Sequence, residues 1–397
     1  MVRARREIIA DVAQTIRCSH LFEGEISMSK WLSRITSDFG VVAAELTKKT
    51  LPPVPTRSPS LNWATSIGGF QPGKISVLYG PEQSGKSLLA MMAIADEQKR
   101  DQDAIFIWFD AEFSFNLPLF IKIGGDPTRL VVRKTNDPIK IFDYVGGEML
   151  ELLQEGAPIR GIVVDSIKAI RYPKEANMKQ TTDQKMGGTG ASYLPTALKL
   201  IIPVISEYNL LTFFIQQVTM EIDPMKALRN PFVITEGKAL KHAADIMLEI
   251  VKLDTKNGVL ESGETITGAA QQTGHKVRIK VKKNRLGVPA RMAQFTYHYD
   301  HGIIDQGGEI FELAKSLGVV FHPVNPSTGK ENTMMWAFGN YDPIRGEDNT
   351  RQWVIANKKI QEEVLSACYE FKDKVVELDA SGVVIEADDL VDLNLGV

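Results

Sequence analysis

The sequence predicts an α/β protein, a mostly parallel twisted sheet flanked by helices and organised around a phosphate-binding loop. Three observations lead there. Short apolar runs recur along the chain, each followed by a loop and a stretch of helical character. The runs show little polar alternation, as strands buried on both faces do. The octet Gly80-Pro81-Glu82-Gln83-Ser84-Gly85-Lys86-Ser87 fits GxxxxGK[ST] between one such run and an apolar helix start, Leu88-Leu89-Ala90-Met91-Met92.

Taken in order, residues 1–35 predict one or two short helices, with Ile8, Ile9, Val12 and Ile16, then Leu21 and Phe22, as apolar positions. Pro52-Pro53-Val54-Pro55 breaks any helix and marks a linker or an extended entry. The strand candidates are Ile75–Tyr79, Ala104–Phe109, Gly161–Val164 and Leu211–Ile215, four to six residues each and rich in β-branched and aromatic types. Helices between them imply right-handed crossovers and a mostly parallel sheet. Ile246–Lys252 and Lys276–Val281 read as strands of a different kind, alternating and partly exposed. After about residue 300 comes a small mixed segment with an acidic end, Glu386-Ala387-Asp388-Asp389. The expected division is a helical segment over 1–35, a core over 36–300 and a C-terminal domain over 301–397. There is no internal repeat.

At 397 residues the chain exceeds what one hydrophobic core usually organises. Its 44% hydrophobic and 24% charged content is ordinary for a globular protein, and a net charge of −3 means that any attraction to phosphate must come from local patches. Cys18 and Cys368 stand near opposite ends, in neither a CxxC nor a metal-ligand spacing, which fits a reduced intracellular setting and argues against structural zinc. The basic start is interrupted by Asp11 and Gln14, unlike a signal peptide, and no run approaches the roughly 20 apolar residues a bilayer requires. The expected location is the cytoplasm, without membrane contact.

In the octet, Gly80 and Gly85 let the backbone curl so that its N–H groups face a phosphate, and the following helix adds the positive end of its dipole. Lys86 is the expected neutraliser of the β- and γ-phosphates of ATP, and Ser87 the hydroxyl ligand of Mg²⁺. Asp165 ends the run Ile162-Val163-Val164, where an aspartate would meet the metal, usually through water. Alone, such an Asp serves equally as a turn or cap residue; beside the octet the metal role is favoured. Glu112, in Asp110-Ala111-Glu112, stands where a carboxylate could activate water for in-line attack, or else be a solvated strand end. Gln216-Gln217 ends a later strand, where an amide could sense the γ-phosphate or be a satisfied buried side chain.

These residues resemble the RecA-type homologous recombinases, in type nearest to the phage RecA/UvsX-like recombinases. The resemblance runs in order through Val54–Asn62, Gly80–Ser87, Asp110–Glu112, Val164–Ser166, Phe214–Gln217, Ala239–Lys241 and Val281–Arg285, covering about residues 54–300. It implies a RecA-type P-loop ATPase core with a small helical N-terminal segment for oligomerisation and a small mixed C-terminal domain for regulation and DNA interaction. It further implies a helical filament of this chain on single-stranded DNA, pairing with homologous double-stranded DNA in recombination and repair, with mediator and single-strand-binding proteins as possible further partners. Glu112 matches the water-activating glutamate and Gln217 the glutamine that couples γ-phosphate to the DNA loop. Lys283 and Arg285 match the basic pair that reaches the nucleotide of the adjacent subunit; without the family, a solvated basic strand end is the preferred reading.

The resemblance places two DNA loops at about 173–190 and 219–237. Lys179, Lys185, Met186 and Gly187 are the contact residues it implies in the first, and Ile222, Lys226, Arg229, Gly237 and Lys238 in or beside the second. Met186 and Ile222 align with apolar residues that insert between base triplets, a sequence-tolerant contact. Nucleotide contact is carried over to Gly80–Ser87, Leu88, Asn116 and Leu119. Leu119 stands where the family usually has an aromatic residue for adenine, and Asn116 where it usually has aspartate. Trp31 and Leu32 are candidate anchors on a neighbouring subunit, or part of a local core. Two other functions compete, a RecA-fold hexameric helicase motor and an ATP-binding recombination mediator.

Overall fold

The computed structural model describes residues 50–172, 189–220, 225, 232–234, 237–253, 259–260, 272–299, 301–303, 305–325 and 327–374. The chain divides into two compact units, Met1–Leu51 and Pro52–Val397. Apart from Thr50 and Leu51, the described residues belong to the second. The helices expected over 1–35, Trp31, Leu32 and the acidic end lie outside the described residues.

The strands are β1 (Ile75–Gly80), β2 (Ile105–Asp110), β3 (Leu130–Lys134), β4 (Ile159–Asp165), β5 (Leu211–Gln217), β6 (Thr219–Met220), β7 (Phe232–Val233), β8 (Ile246–Lys252), β9 (Val259–Leu260), β10 (Gln272–Asn284), β11 (Met292–His298), β12 (Met335–Trp336) and β13 (Ile344–Arg345). One large sheet runs β11-β10-β8-β1-β5-β4-β2-β3, with β9 on β10. Pairing is parallel from β8 through β3, and β10 and β11 extend the sheet antiparallel. β6 pairs with β7 and β12 with β13 in separate two-stranded ribbons.

Two apolar clusters, one on each face, explain why the central runs read as unbroken hydrophobic stretches. Leu78, Phe106, Trp108, Val163, Phe213 and Leu248 enter one cluster, and their neighbours Val77, Ile107, Phe109, Val164, Phe214 and Met247 the other. Helix α1 (Pro59–Ala64) begins with Ser58 as its cap and Pro59 at a position where a missing N–H costs nothing. Helix α2 (Lys86–Arg100) packs Leu89, Met92 and Ile94 into the first cluster and ends on Lys99 and Arg100, favourable at a helix C-terminus. The flanking elements include α3 (Leu117–Lys122), α4 (Glu148–Gln154), α5 (Thr189–Glu207) and α6 (Gly237–Ala243). In the C-terminal part, α7 (Gln306–Ser316), α8 (Glu347–Ala356) and α9 (Lys358–Lys374) contribute Phe311, Val354, Val364 and Cys368 to the first cluster. Among the described residues no helix is long and apolar enough to cross a membrane.

One strand expectation changes. Ile246–Lys252 does not alternate: its first five residues are buried, because β8 lies between β1 and β10 with apolar clusters on both faces. β10 does alternate, burying Val277, Ile279 and Val281 between exposed Lys276 and Arg278 and half-buried Lys280. β3 and β11 were not anticipated; they are the two ends of the sheet, one short and basic, the other alternating.

A buried carboxylate ties α7 to the start of α1. Glu309 accepts hydrogen bonds from Ser60 N at 2.9 Å and Ser60 Oγ at 2.6 Å, and another from Ser58 Oγ. Burial pushes the Glu309 carboxyl up to about 7, while the hydrogen bonds from Ser58 and Ser60 pull it down. A carboxyl whose folded value lies above its unfolded one contributes stability that is fully present below the ordinary carboxylate range and lost as pH rises through about 7. Denaturant melts from pH 5 to pH 8 are therefore expected to favour Glu309→Gln over wild type progressively, by roughly 3 kcal/mol at most. A stability difference that stays constant across that range would refute this account of Glu309.

Candidate nucleotide site

Strand register builds the site. Gly80 at the end of β1 stands beside Gln217 at the end of β5, Ile215 beside Asp165 of β4, and Asp165 beside Asp110 of β2. Glu112 and Gln217 each lie two residues beyond the positions in register with Asp165. They flank the end of β4 from opposite sides and meet over it: Gln217 Nε2 donates to Glu112 Oε1 at 2.8 Å. Such convergence at the carboxyl ends of parallel strands is where open α/β sheets place ligands.

The loop 80–87 crosses from β1 to α2. A Cβ on Gly80 would lie 2.0 Å from the carbonyl oxygen of Ile250 on β8, and one on Gly85 would lie 2.3 Å from the Tyr297 ring of β11. Gln83 and Gly85 both take left-handed backbone, φ 56° and 90°, the kind of turn geometry that gathers N–H groups around an anion. No side chain caps the first turn of α2, and no acidic residue stands there, so its N–H donors have no competing side-chain partner at the cap. Pro81 is half-buried, Glu82 and Gln83 are exposed, Ser84 is buried, and Leu88 packs half-buried against the core.

Lys86 is buried and donates to the carbonyls of Gly80 at 3.1 Å and Pro81 at 2.6 Å. Burial lowers the pKa of its ammonium, with Asp165, Glu112 and Glu82 opposing. Ser87 Oγ donates to Asp165 Oδ2 at 2.7 Å. Burial pushes the Asp165 carboxyl up to about 6, the Ser87 hydrogen bond pulling it down and the negative charge of Glu112 adding to the rise. Lys86, Ser87, Glu112, Asp165 and Gln217, with Glu82 and Gln83, line a cleft of about 350 Å³. A buried ammonium with only backbone partners, an uncapped helix start and a hydroxyl–carboxylate pair of oxygen donors together fit a triphosphate with a hard divalent cation. Among the described residues no group of three or more His, Cys, Asp or Glu is placed to hold a metal ion.

The remaining predicted residues lie elsewhere. Asn116 caps α3, its Oδ1 accepting from Leu119 N at 3.0 Å, and Leu119 packs against the core; neither lines the cleft. Lys283 Nζ donates to the carbonyl of Lys241, and Arg285 NH2 to that of His242 at 2.7 Å, both at the end of α6. Burial lowers the Lys283 pKa, the positive charge of Arg285 adding to the effect. Gly237 opens α6 and Lys238 is exposed on it. Lys179, Lys185, Met186, Gly187, Ile222, Lys226 and Arg229 lie outside the described residues.

Residues 27–304 match the family described as RecA N-terminal domain. The chain belongs to the RecA family. Protein RecA of Geobacter sulfurreducens is 31% identical over 303 residues, covering 75% of this chain and 83% of the relative. Protein RecA of Thermus aquaticus is 29% identical over 356 residues, covering 88% and 95%, and that of Mesoplasma florum is 34% identical over 260 residues, covering 66% and 72%. The chain is therefore a RecA-family recombinase, of a family of DNA-dependent ATPases that bind ATP with Mg²⁺ and form filaments on DNA.

Within this RecA-family site, three contributions escaped the sequence reading. Asp110 is buried and its two carboxylate oxygens accept from Ser114 N and Phe115 N at 3.0 Å each, fixing the turn that carries Glu112. Tyr297 seats Gly85 from a strand more than two hundred residues away, a contact with no local signature. Ser166 donates its hydroxyl to Glu112 Oε1. Its place directly after Asp165 was the available signal.

Proposed function

We propose that this chain assembles as a helical filament on single-stranded DNA, with ATP and Mg²⁺ between neighbouring subunits, and exchanges strands with a homologous duplex. In this reading Gly80–Ser87 cradle the triphosphate, Lys86 neutralises its terminal phosphates, and Ser87 and Asp165 hold the cation. A bound Mg²⁺ would supply charge neutralisation to the phosphates. Glu112 takes the proton of the attacking water and Gln217 reports γ-phosphate to the segment that follows β5, while Lys283 and Arg285 act on the nucleotide of the neighbouring copy. Asn116 and Leu119 belong to the nucleotide's base end, residues 173–190 and 219–237, with Lys238, to DNA, residues 1–35 to assembly, and residues 301–397 to DNA interaction and regulation.

The observation that carries the proposal is the separation of the basic pair from its own cleft. Asn284 pairs with Ile246 at the start of β8, whereas the phosphate loop packs on Ile250 of the same strand. Four residue steps along the strand, on the order of 13 Å, separate them. That separation along the strand supports a contact of the pair with the nucleotide of a second copy rather than with its own.

The test is electron microscopy with single-stranded DNA and a slowly hydrolysed ATP analogue, paired with an assay of strand transfer into a homologous duplex. Long helical filaments and joint molecules are expected. Closed rings would instead mean a helicase-type motor, and DNA binding without filaments or pairing would mean a mediator.

A further inference from the structure

Glu112 is held at three points. Its backbone N–H and that of Ala111 both donate to the carbonyl of Asp165, at 3.3 and 2.7 Å. At the tip of the side chain, Ser166 Oγ and Gln217 Nε2 converge on one oxygen, Oε1. A carboxylate only accepts, so the Ser166 hydroxyl is the donor. Both donors take the same oxygen, which leaves Oε2 carrying neither of them.

The two donors differ in their settings. Ser166 is fully buried. Its own carbonyl accepts Ala169 N at 3.1 Å, the first bond of the short helical turn Ile167–Ala169, and β4 ends immediately before it. Gln217 is half-buried at the last position of β5, two residues before β6 begins an outlying ribbon. One donor is anchored in the core, and the other sits at the exit to a peripheral hairpin.

We propose that Ser166 is the fixed positioning residue of the catalytic base: its buried hydroxyl keeps Glu112 aimed through Oε1, independently of Gln217, so that Oε2 remains the oxygen that receives the water proton. This rests on the reading of Glu112 as base given above. A glutamate has three rotatable bonds. With its backbone on Asp165 and its tip on Ser166, the carboxylate keeps one orientation even when the Gln217 amide is drawn elsewhere, and that orientation is what a base within hydrogen-bond reach of water requires.

Ser166→Ala removes the donor and leaves a small void. Ser166→Cys restores the volume with a far weaker donor. Both are to be compared in the full-length protein with wild type, Glu112→Gln and the Ser166→Ala/Glu112→Gln double variant. The measurements are DNA-stimulated phosphate release, KM for ATP and thermal midpoint. Loss of aim is expected to lower kcat roughly 10–100-fold in both Ser166 variants, with KM for ATP within about twofold of wild type. It is expected to add nothing to the Glu112→Gln defect. Wild-type kcat in Ser166→Ala, full recovery in Ser166→Cys, or a Ser166→Ala loss that multiplies with that of Glu112→Gln would each overturn the proposal. If Glu112→Gln itself turns over normally, the base assignment fails with it; if Glu112→Gln is inactive while Ser166→Ala is not, only the role of Ser166 fails.

Discussion

Glu112→Gln is expected to bind ATP and single-stranded DNA as wild type does and to lose DNA-stimulated turnover by on the order of 10²–10⁴-fold. The geometry makes this substitution unusually clean. The amide oxygen of glutamine still accepts from Ser166 Oγ and Gln217 Nε2, and the backbone N–H still donates to Asp165. What disappears is the basic oxygen and one negative charge among Asp110, Asp165 and Lys86. Lys86 and Ser87 stay in place, so the grip on the triphosphate survives. Phosphate release at saturating DNA, set beside the affinity for a fluorescent ATP analogue, separates the two effects. Turnover within tenfold of wild type would end the assignment of Glu112 as base, whatever the affinity.

The phosphate loop was legible because all its parts lie within eight consecutive residues, and a strand before and a helix after are visible from local hydrophobicity. Asp165 was legible because an aspartate closing a buried apolar run has few roles once the loop is known. The central strands were readable for a related reason, since burial on both faces removes the alternation that confuses strand with surface. The edges resisted the same method. β3 shows Leu130 buried and Val131 exposed beside two basic residues, which resembles a polar connection. β8 was misread as half-exposed because Glu249 interrupts it; in the fold that glutamate is nearly buried and meets Lys282 at 3.2 Å. Least legible were relations that depend on register. That Ser166, Gln217 and Glu112 share one oxygen follows from three strands lying in the order β5-β4-β2, and no window of sequence contains all three.

Lys283→Ala with Arg285→Ala is expected to leave the monomer folded and to lower DNA-stimulated hydrolysis by roughly 10³-fold or more, the scale on which a cation supplied across an interface stabilises phosphoryl transfer. Folding should survive because the partners of both side chains are exposed backbone carbonyls at the end of α6, which water satisfies once the cations are gone, and because the further pairing of Arg285 with Asp245, at 3.8 Å, is a half-exposed ion pair of little stabilising effect. The decisive measurement is complementation. Lys86→Ala spoils a subunit's own cleft but keeps its basic pair; the double variant keeps its cleft but lacks the pair. Each alone should be inactive. In an equimolar mixture that assembles at random on single-stranded DNA, about one head-to-tail interface in four joins an intact cleft to an intact basic pair, and hydrolysis should return in proportion. A mixture as inactive as its parents would mean that Lys283 and Arg285 serve their own subunit, and the distance along β8 would then need a conformation that brings the two ends of that strand to one nucleotide.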